Sequence, residues 1–280
     1  MGETGNGGQA ATRDAAWIDR EYGRDKWPAV RRKIDATIAT GERSLSRILA
    51  ILARWEWGCP GLESAPAIAL GAPVRLPASL AWHGFYAAVA EAVISACCED
   101  TRIVADLGCG WGRSLFDVWL RGGPREATYH ALEFTQAGLD CVAMLAALEP
   151  GMPVRAARFD FQNPDFSSLP QGLEHAVVFT VSSVHQVPMI EKNALRAIAR
   201  IAEKVDCLHF EQIGWQIAPR TQTNADREYA LRNHYNQNLW DVLTRLRDDR
   251  EIALVKVDAD LFGMQAVYPM SLVHWRRSQV

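Results

Sequence analysis

Residues 103–114 read I-V-A-D-L-G-C-G-W-G-R-S. The apolar run 103–107 has the length and character of a buried strand. It breaks into Gly108, Gly110 and Gly112, and a helix-compatible segment, 113–121, follows. Strand, glycine turn and helix start in succession make a cradle for a nucleotide-type cofactor. Glycines let the backbone turn sharply and approach a ligand without Cβ clashes. The helix start offers unpaired N–H groups to a polar or anionic group.

Spacing chooses among cofactors. A dinucleotide fingerprint is G-x-G-x-x-G. Here the third glycine comes one residue early and Arg113 stands in the dinucleotide position, which disfavours a nicotinamide-dependent oxidoreductase. With Asp106 two residues ahead, the pattern is D-x-G-x-G-x-G, and it resembles motif I of the class I S-adenosylmethionine (SAM)-dependent methyltransferases. The resemblance extends over about residues 79–280. It implies an α/β fold with a doubly wound, seven-stranded, mostly parallel sheet, and SAM as cofactor. It places the loop Gly108, Cys109, Gly110 and Gly112 under the methionine part of SAM, with Asp106 holding the amino group.

The following segments extend this reading. The apolar run Thr128–Glu133 ends in an acid, and Thr135 is an N-cap for an Ala/Leu-rich helix. A carboxylate at a strand end accepts from both hydroxyls of a ribose, and the resemblance gives Glu133 that role, with Phe134 beside it. Residues 154–159 read as a third strand, followed by Asp160 and Phe161. By resemblance Asp160 accepts from the adenine amine and Phe161 covers the ring. The fourth strand, His175–Val181, contains V-V-F-T-V, a run typical of a parallel strand buried on both faces. Its Thr180 belongs to the cofactor set.

Ligands of open α/β sheets bind outside the carboxyl ends of the strands. The residues after the fourth and fifth strands therefore face the transferred methyl group. His185, His209 and Glu211 are the candidate catalytic residues. An imidazole titrates near working pH, and a carboxylate can pair with a cationic amine. Tyr22, Tyr86, Ser182, His234 and Asn238 are candidate substrate contacts. The last two lie at i and i+4 on a helix expected over 223–247, opened by the capping box Thr223-x-x-Asp226. Residues 252–257 and 271–275 are expected to close the sheet as an antiparallel pair.

Composition sets the remaining bounds. The chain has 280 residues, 49% hydrophobic, with a formal net charge of −3. There is no global basic field to attract nucleic acid, and no apolar run near ~18 residues to cross a membrane. Residues 1–12 are Gly-rich and polar and are expected to be a disordered tail. Residues 13–78 are expected to form a helical cap or lid. It would hold two amphipathic helices broken at Gly41, then a Gly/Pro/Ala-rich loop over 58–77. Residues 79–280 are the expected SAM-binding domain. Six cysteines at spacings that fit neither zinc nor a disulfide framework agree with a reducing cytoplasm.

The expected activity is methyl transfer to N or O of a small, polar, amino-acid-like metabolite. The rival readings are a methyltransferase acting on a peptide or protein, with the N-terminal helices as docking surface, and a non-catalytic SAM-fold partner subunit. A small-molecule partner is expected, without nucleic acid or membrane, and a homodimer is allowed.

Overall fold

The computed structural model describes residues 13–56, 64–218, 223–263 and 268–278. The tail expected over 1–12 and Cys59 lie outside the described residues. The first part of the chain holds α1 (Ala15–Ile18), a π-helical stretch (Asp19–Lys26), α2 (Trp27–Ala39), α3 (Leu45–Glu56), β1 (Ser64–Ala69) and β2 (Ala72–Pro77). Next come α4 (Ala78–Ala96), β3 (Thr101–Leu107), α5 (Arg113–Leu120), β4 (Thr128–Glu133), α6 (Gln136–Ala146), β5 (Val154–Arg158) and β6 (His175–Val181). The last part holds α7 (Lys192–Ile198), β7 (Lys204–Glu211), α8 (Gly214–Ile217), α9 (Thr223–Arg232), α10 (Leu239–Asp248), β8 (Ile252–Gly263) and β9 (Met270–Arg277).

One sheet takes all nine strands, in the order β2-β1-β8-β9-β7-β6-β3-β4-β5. β3 pairs in parallel with both β4 and β6, and β6 with β7. β9 is antiparallel to β7 and to β8. The sheet is mostly parallel through β3 to β7, as expected, but it has nine strands rather than the expected seven. The extra two strands correct the expected loop over 58–77. They form a hairpin whose two turn residues, Leu70 and Gly71, both have positive φ (52° and 76°), as a type I′ turn requires. Pro66, Pro73 and Pro77 made this stretch read as loop. Proline is tolerated at a sheet edge; Pro73 and Pro77 lie in the edge strand β2, and Pro66 lies in the part of β1 that pairs with β2 alone.

Successive residues of the central strands alternate between two apolar layers. Val104, Val177 and Phe179 face the layer filled by α3, α4, α5 and α6, with Leu52, Val93, Phe116 and Val142 buried there. Ile103, Ala105 and Val178 face α7 and α10, with Leu195, Leu243 and Trp275 buried. From β3 the chain proceeds to β4 and β5 on one side, while β6 and β7 lie on the other. This reversal puts the ligand crevice outside the carboxyl ends of β3 and β6.

The helix expected over 223–247 is two helices. The break at 233–238 has His234 in the left-handed region (φ 52°). Asn236 is fully buried, and its side-chain oxygen accepts from the backbone N–H groups of Asn238 and Leu239, opening α10. Asn238 exchanges two hydrogen bonds with the Ile190 backbone. The i, i+4 pairing of His234 with Asn238 on one helical face therefore does not exist. The amides are turn-makers and loop ties.

At the opposite rim of the sheet, Asp206 is 4% exposed and accepts from His175, His274 and Arg276, tying β6, β7 and β9. Burial alone would raise its pKa, but these hydrogen bonds outweigh it and hold the carboxyl well below the usual range. Its stabilising contribution is full above the unfolded-state pKa of about 3.9 and is lost as pH falls through the folded value. Asp206→Ala is expected to cost about 3–5 kcal/mol in urea unfolding, because it strands buried donors.

Candidate active site

The crevice is built from the glycine turn upward. Gly108, Gly110 and Gly112 have φ of 71°, 57° and 89°. A Cβ at these positions would lie 2.5 Å from Ser183, 2.8 Å from Trp27 and 2.9 Å from Phe116, so no side chain fits. The N–H groups of Gly108 and Cys109 donate to the Leu132 carbonyl (2.7 and 3.1 Å), which fastens the turn to β4.

Glu133, at the end of β4, is 5% exposed. It accepts from the Gly110 N–H (3.0 Å) and from the N–H and hydroxyl of Thr135 (3.0 and 2.7 Å). Thr135 in turn caps α6 by accepting from Gly138. Burial raises the Glu133 carboxyl, and the hydrogen bonds from Thr135 and Gly110 oppose the rise.

Asp106 is 1% exposed, and its Oδ1 has no hydrogen-bond partner. Burial pushes its carboxyl well up, and the nearby acids Glu133 and Glu211 push the same way. A buried acid left this way is costly unless a cation or donor meets it.

A cavity of about 450 Å³ opens beside the turn. Its walls include Gly108, Glu133, Phe134, Asp160, Phe161 and Ser182. Phe161 packs edge-on to Phe159 (4.9 Å between centroids), and Asp160 accepts from the Gln162 N–H (2.8 Å). The cavity is roofed by Arg13, Ile18, Tyr22 and Trp27 from the start of the described chain. Arg13 holds this roof down. Its guanidinium lies between the rings of Trp17 (4.1 Å) and Tyr235 (4.0 Å) and donates to the Asn233 carbonyl and to the Gln186 side chain. Each cation–π contact is worth about 0.5–2 kcal/mol. Arg13→Ala is expected to speed amide hydrogen exchange over 15–26 by roughly ten-fold or more, as the latch is lost. Unchanged exchange would show that the roof is held elsewhere.

Glu211 is fully buried and serves the turn after β6. Its carboxylate accepts from the N–H groups of Ser183, Val184 and His185 (3.1, 3.0 and 3.0 Å) and pairs with His185 Nδ1 (3.2 Å). Burial raises its pKa, but these bonds from His185 and its neighbours win, and the net direction is down. Its expected role as a direct partner for an amine is corrected: its oxygens are already committed to the turn. Ser182, at φ 53°, carries the local strain, and the Ser183 hydroxyl donates to the Leu107 carbonyl (2.7 Å).

His185 is 5% exposed, and burial lowers its pKa against the pull of Glu211. Its Nε2 meets the Gln186 amide nitrogen at 2.7 Å. The arrangement is satisfied when Nδ1–H donates to Glu211 and Nε2 accepts from Gln186.

His209 and Thr180 do not reach the cavity. They are register partners on β7 and β6, both 0% exposed. The His209 ring bonds to the Thr180 hydroxyl and accepts from the Trp275 indole (3.0 Å each). Burial depresses its pKa to about 4. Both residues are core polar groups satisfied by each other. Tyr86 also lies outside this cavity, under the Arg113 guanidinium (3.6 Å).

Sequence reasoning placed the strand tails holding Gln186 and Gln212 at the active face but did not single out Arg13, Trp215 or Tyr268. Behind Ser182, outside the cavity lining, the Gln212 Oε1, Trp215 Nε1 and Tyr268 hydroxyl are buried without hydrogen-bond partners. Gln212 donates to the Ser182 hydroxyl (3.2 Å). These residues come from separate segments, and nothing local in the sequence joins them. Among the described residues no group of acids, histidines and cysteines could hold a metal ion, and no helix is long and apolar enough to cross a membrane.

No family model matches the chain, and no curated protein matches it. Solved structures similar to it include a SAM-dependent methyltransferase from Aquifex aeolicus, at 15% identity and TM-score 0.45, covering 67% of this chain and 89% of that one. A geranyl diphosphate methyltransferase in complex with SAM is similar at 12% identity and TM-score 0.48, covering 71% and 87%. The magnesium protoporphyrin IX methyltransferase of Synechocystis PCC 6803, with bound SAH, is similar at 10% identity and TM-score 0.47, covering 71% and 85%.

Proposed function

We propose that this chain is a SAM-dependent methyltransferase that transfers a methyl group to N or O of a small polar acceptor. The observation that carries the reading is the buried, unpartnered Oδ1 of Asp106 beneath a glycine turn that admits no Cβ. An acid in that position suits the cationic amino group of SAM, and the turn suits its methionine chain. Glu133 would hold the ribose, and Asp160 with Phe161 the adenine. When bound, SAM supplies an electrophilic sulfonium methyl.

The chain's own residues supply orientation and proton handling. The roof of Tyr22 and Trp27 keeps water out. Ser182 and Gln186, which line the crevice, present donors and acceptors to a polar acceptor. His185 Nε2 takes the acceptor's proton once the Gln186 amide turns aside. Glu211 is a positioning residue: it fixes the Nδ1–H tautomer and stabilises the imidazolium. The roof over part of the crevice favours a small acceptor over a folded protein chain.

The test is calorimetric titration of the purified protein with SAM and, separately, with NADH. Micromolar SAM binding without NADH binding is expected. Folded protein that takes up no SAM overturns the reading.

A further inference from the structure

A second cavity, of about 230 Å³, lies in the groove between α3, α4 and α5. It shares no lining residue with the roofed cavity. Arg113 is its central feature. The side chain is 7% exposed, yet its Nε and Nη1 have no hydrogen-bond partner. Asp117, one turn on, lies 3.6 Å from Nε, close enough for charge attraction but not for a hydrogen bond. Burial pushes the Asp117 carboxyl up, and Arg113 opposes it. Glu56, on α3, is likewise raised by burial against Arg113.

The rest of the groove fits an anion. The Tyr86 ring supports the guanidinium at 3.6 Å, and Arg113 lines the groove with its two unpartnered donors just beneath the surface, where a small turn of the side chain presents them to a ligand. Arg121 and His83, both exposed, stand at the rim, and Leu120 adds an apolar wall. A buried guanidinium with two idle donors costs several hydrogen bonds' worth of desolvation unless an acceptor arrives. A planar fork of donors matches the paired oxygens of a carboxylate or phosphate.

We propose that this groove is a binding site for an oxyanion, a phosphate or carboxylate group, gripped by Arg113 and drawn in by Arg121. The site is separate from the cofactor crevice and does not depend on the methyltransferase reading.

The experiment titrates the whole chain with sodium phosphate and with sodium acetate at constant ionic strength. Binding is followed by calorimetry and by the Arg113 Nε–H resonance. Saturable binding of either anion, with a shift of that resonance, is expected. The tighter of the two identifies the group. Arg113→Gln should weaken binding roughly ten-fold or more, and Arg121→Gln, at the exposed rim, by a few-fold. If Arg113→Gln fails to fold, the wild-type resonance and Arg121→Gln still decide. No saturable binding of either anion overturns the proposal, as does undiminished binding by folded Arg113→Gln. Unchanged SAM titration by Arg121→Gln keeps this result apart from the cofactor reading.

Discussion

Gly110→Arg is expected to abolish SAM binding, weakening it by more than a hundred-fold in calorimetry, while the protein stays folded. Four effects combine at this residue. Its φ of 57° is left-handed, which costs a non-glycine residue about 1–2 kcal/mol. Its Cβ would sit 2.8 Å from the Trp27 ring, so any side chain pushes the roof away from the crevice. Its N–H donates to Glu133 (3.0 Å), and a shifted turn would loosen the carboxylate proposed to hold the ribose. Arginine also brings a positive charge to the place where a cationic amino group must approach Asp106. Gly110→Ala isolates the first two effects and should weaken SAM by roughly ten-fold. Gly110 is buried between Trp27 and Trp111, so a loss of stability is expected as well, and binding is compared on protein shown folded by circular dichroism. Binding within three-fold of wild type in Gly110→Arg would mean that the turn does not cradle SAM.

The parts of this site that could be read from sequence are those set by local geometry. The run from Ile103 through Gly112 specifies strand, turn and helix start within a few residues, and the glycine φ values agree. Glu133, Asp160 and Phe161 could be placed because strands end where apolar runs end. What could not be read depends on distant partners. Arg13 reaches Gln186 and Asn233 across most of the chain. The hairpin of β1 and β2 was hidden by its prolines, which mark a loop except at a sheet edge. His209 could be placed near a strand end, but not that Thr180 and Trp275 would satisfy both its nitrogens and hold it in the core. For Glu211 the acid was visible at a strand end. The three N–H groups of the turn after β6 were not, because they come from another strand.

That same geometry makes Glu211 the residue with the sharpest expected split between stability and rate. Glu211→Ala leaves three buried N–H groups and His185 Nδ1–H without an acceptor, and should cost about 3–5 kcal/mol in urea unfolding. Much of the turn that carries Ser182 to His185 would be lost with it. Glu211→Gln keeps the volume but changes the chemistry. Its amide oxygen can still accept from Ser183 and Val184, at the place of Oε1. Its NH2 group would then face the His185 N–H and Nδ1–H, where Oε2 now accepts. Donor against donor drives the imidazole to its other tautomer, which puts the proton on Nε2. The nitrogen proposed to take the acceptor's proton is then blocked. Turnover should fall by about a hundred-fold or more, with SAM affinity unchanged within a few-fold.

The pH dependence adds a second readout. Glu211 and His185 both have folded-state pKa values below their ordinary ones. Each therefore contributes stability that is full above its unfolded value, about 4.3 and 6.5 respectively, and is lost as pH falls toward the folded value. Glu211→Gln removes the first contribution, so the variant's stability should fall less steeply below pH 5 than the wild type's. Wild-type turnover in Glu211→Gln would remove His185 from the proton path. Lost turnover with an unchanged acid limb would place the carboxylate elsewhere than under this turn.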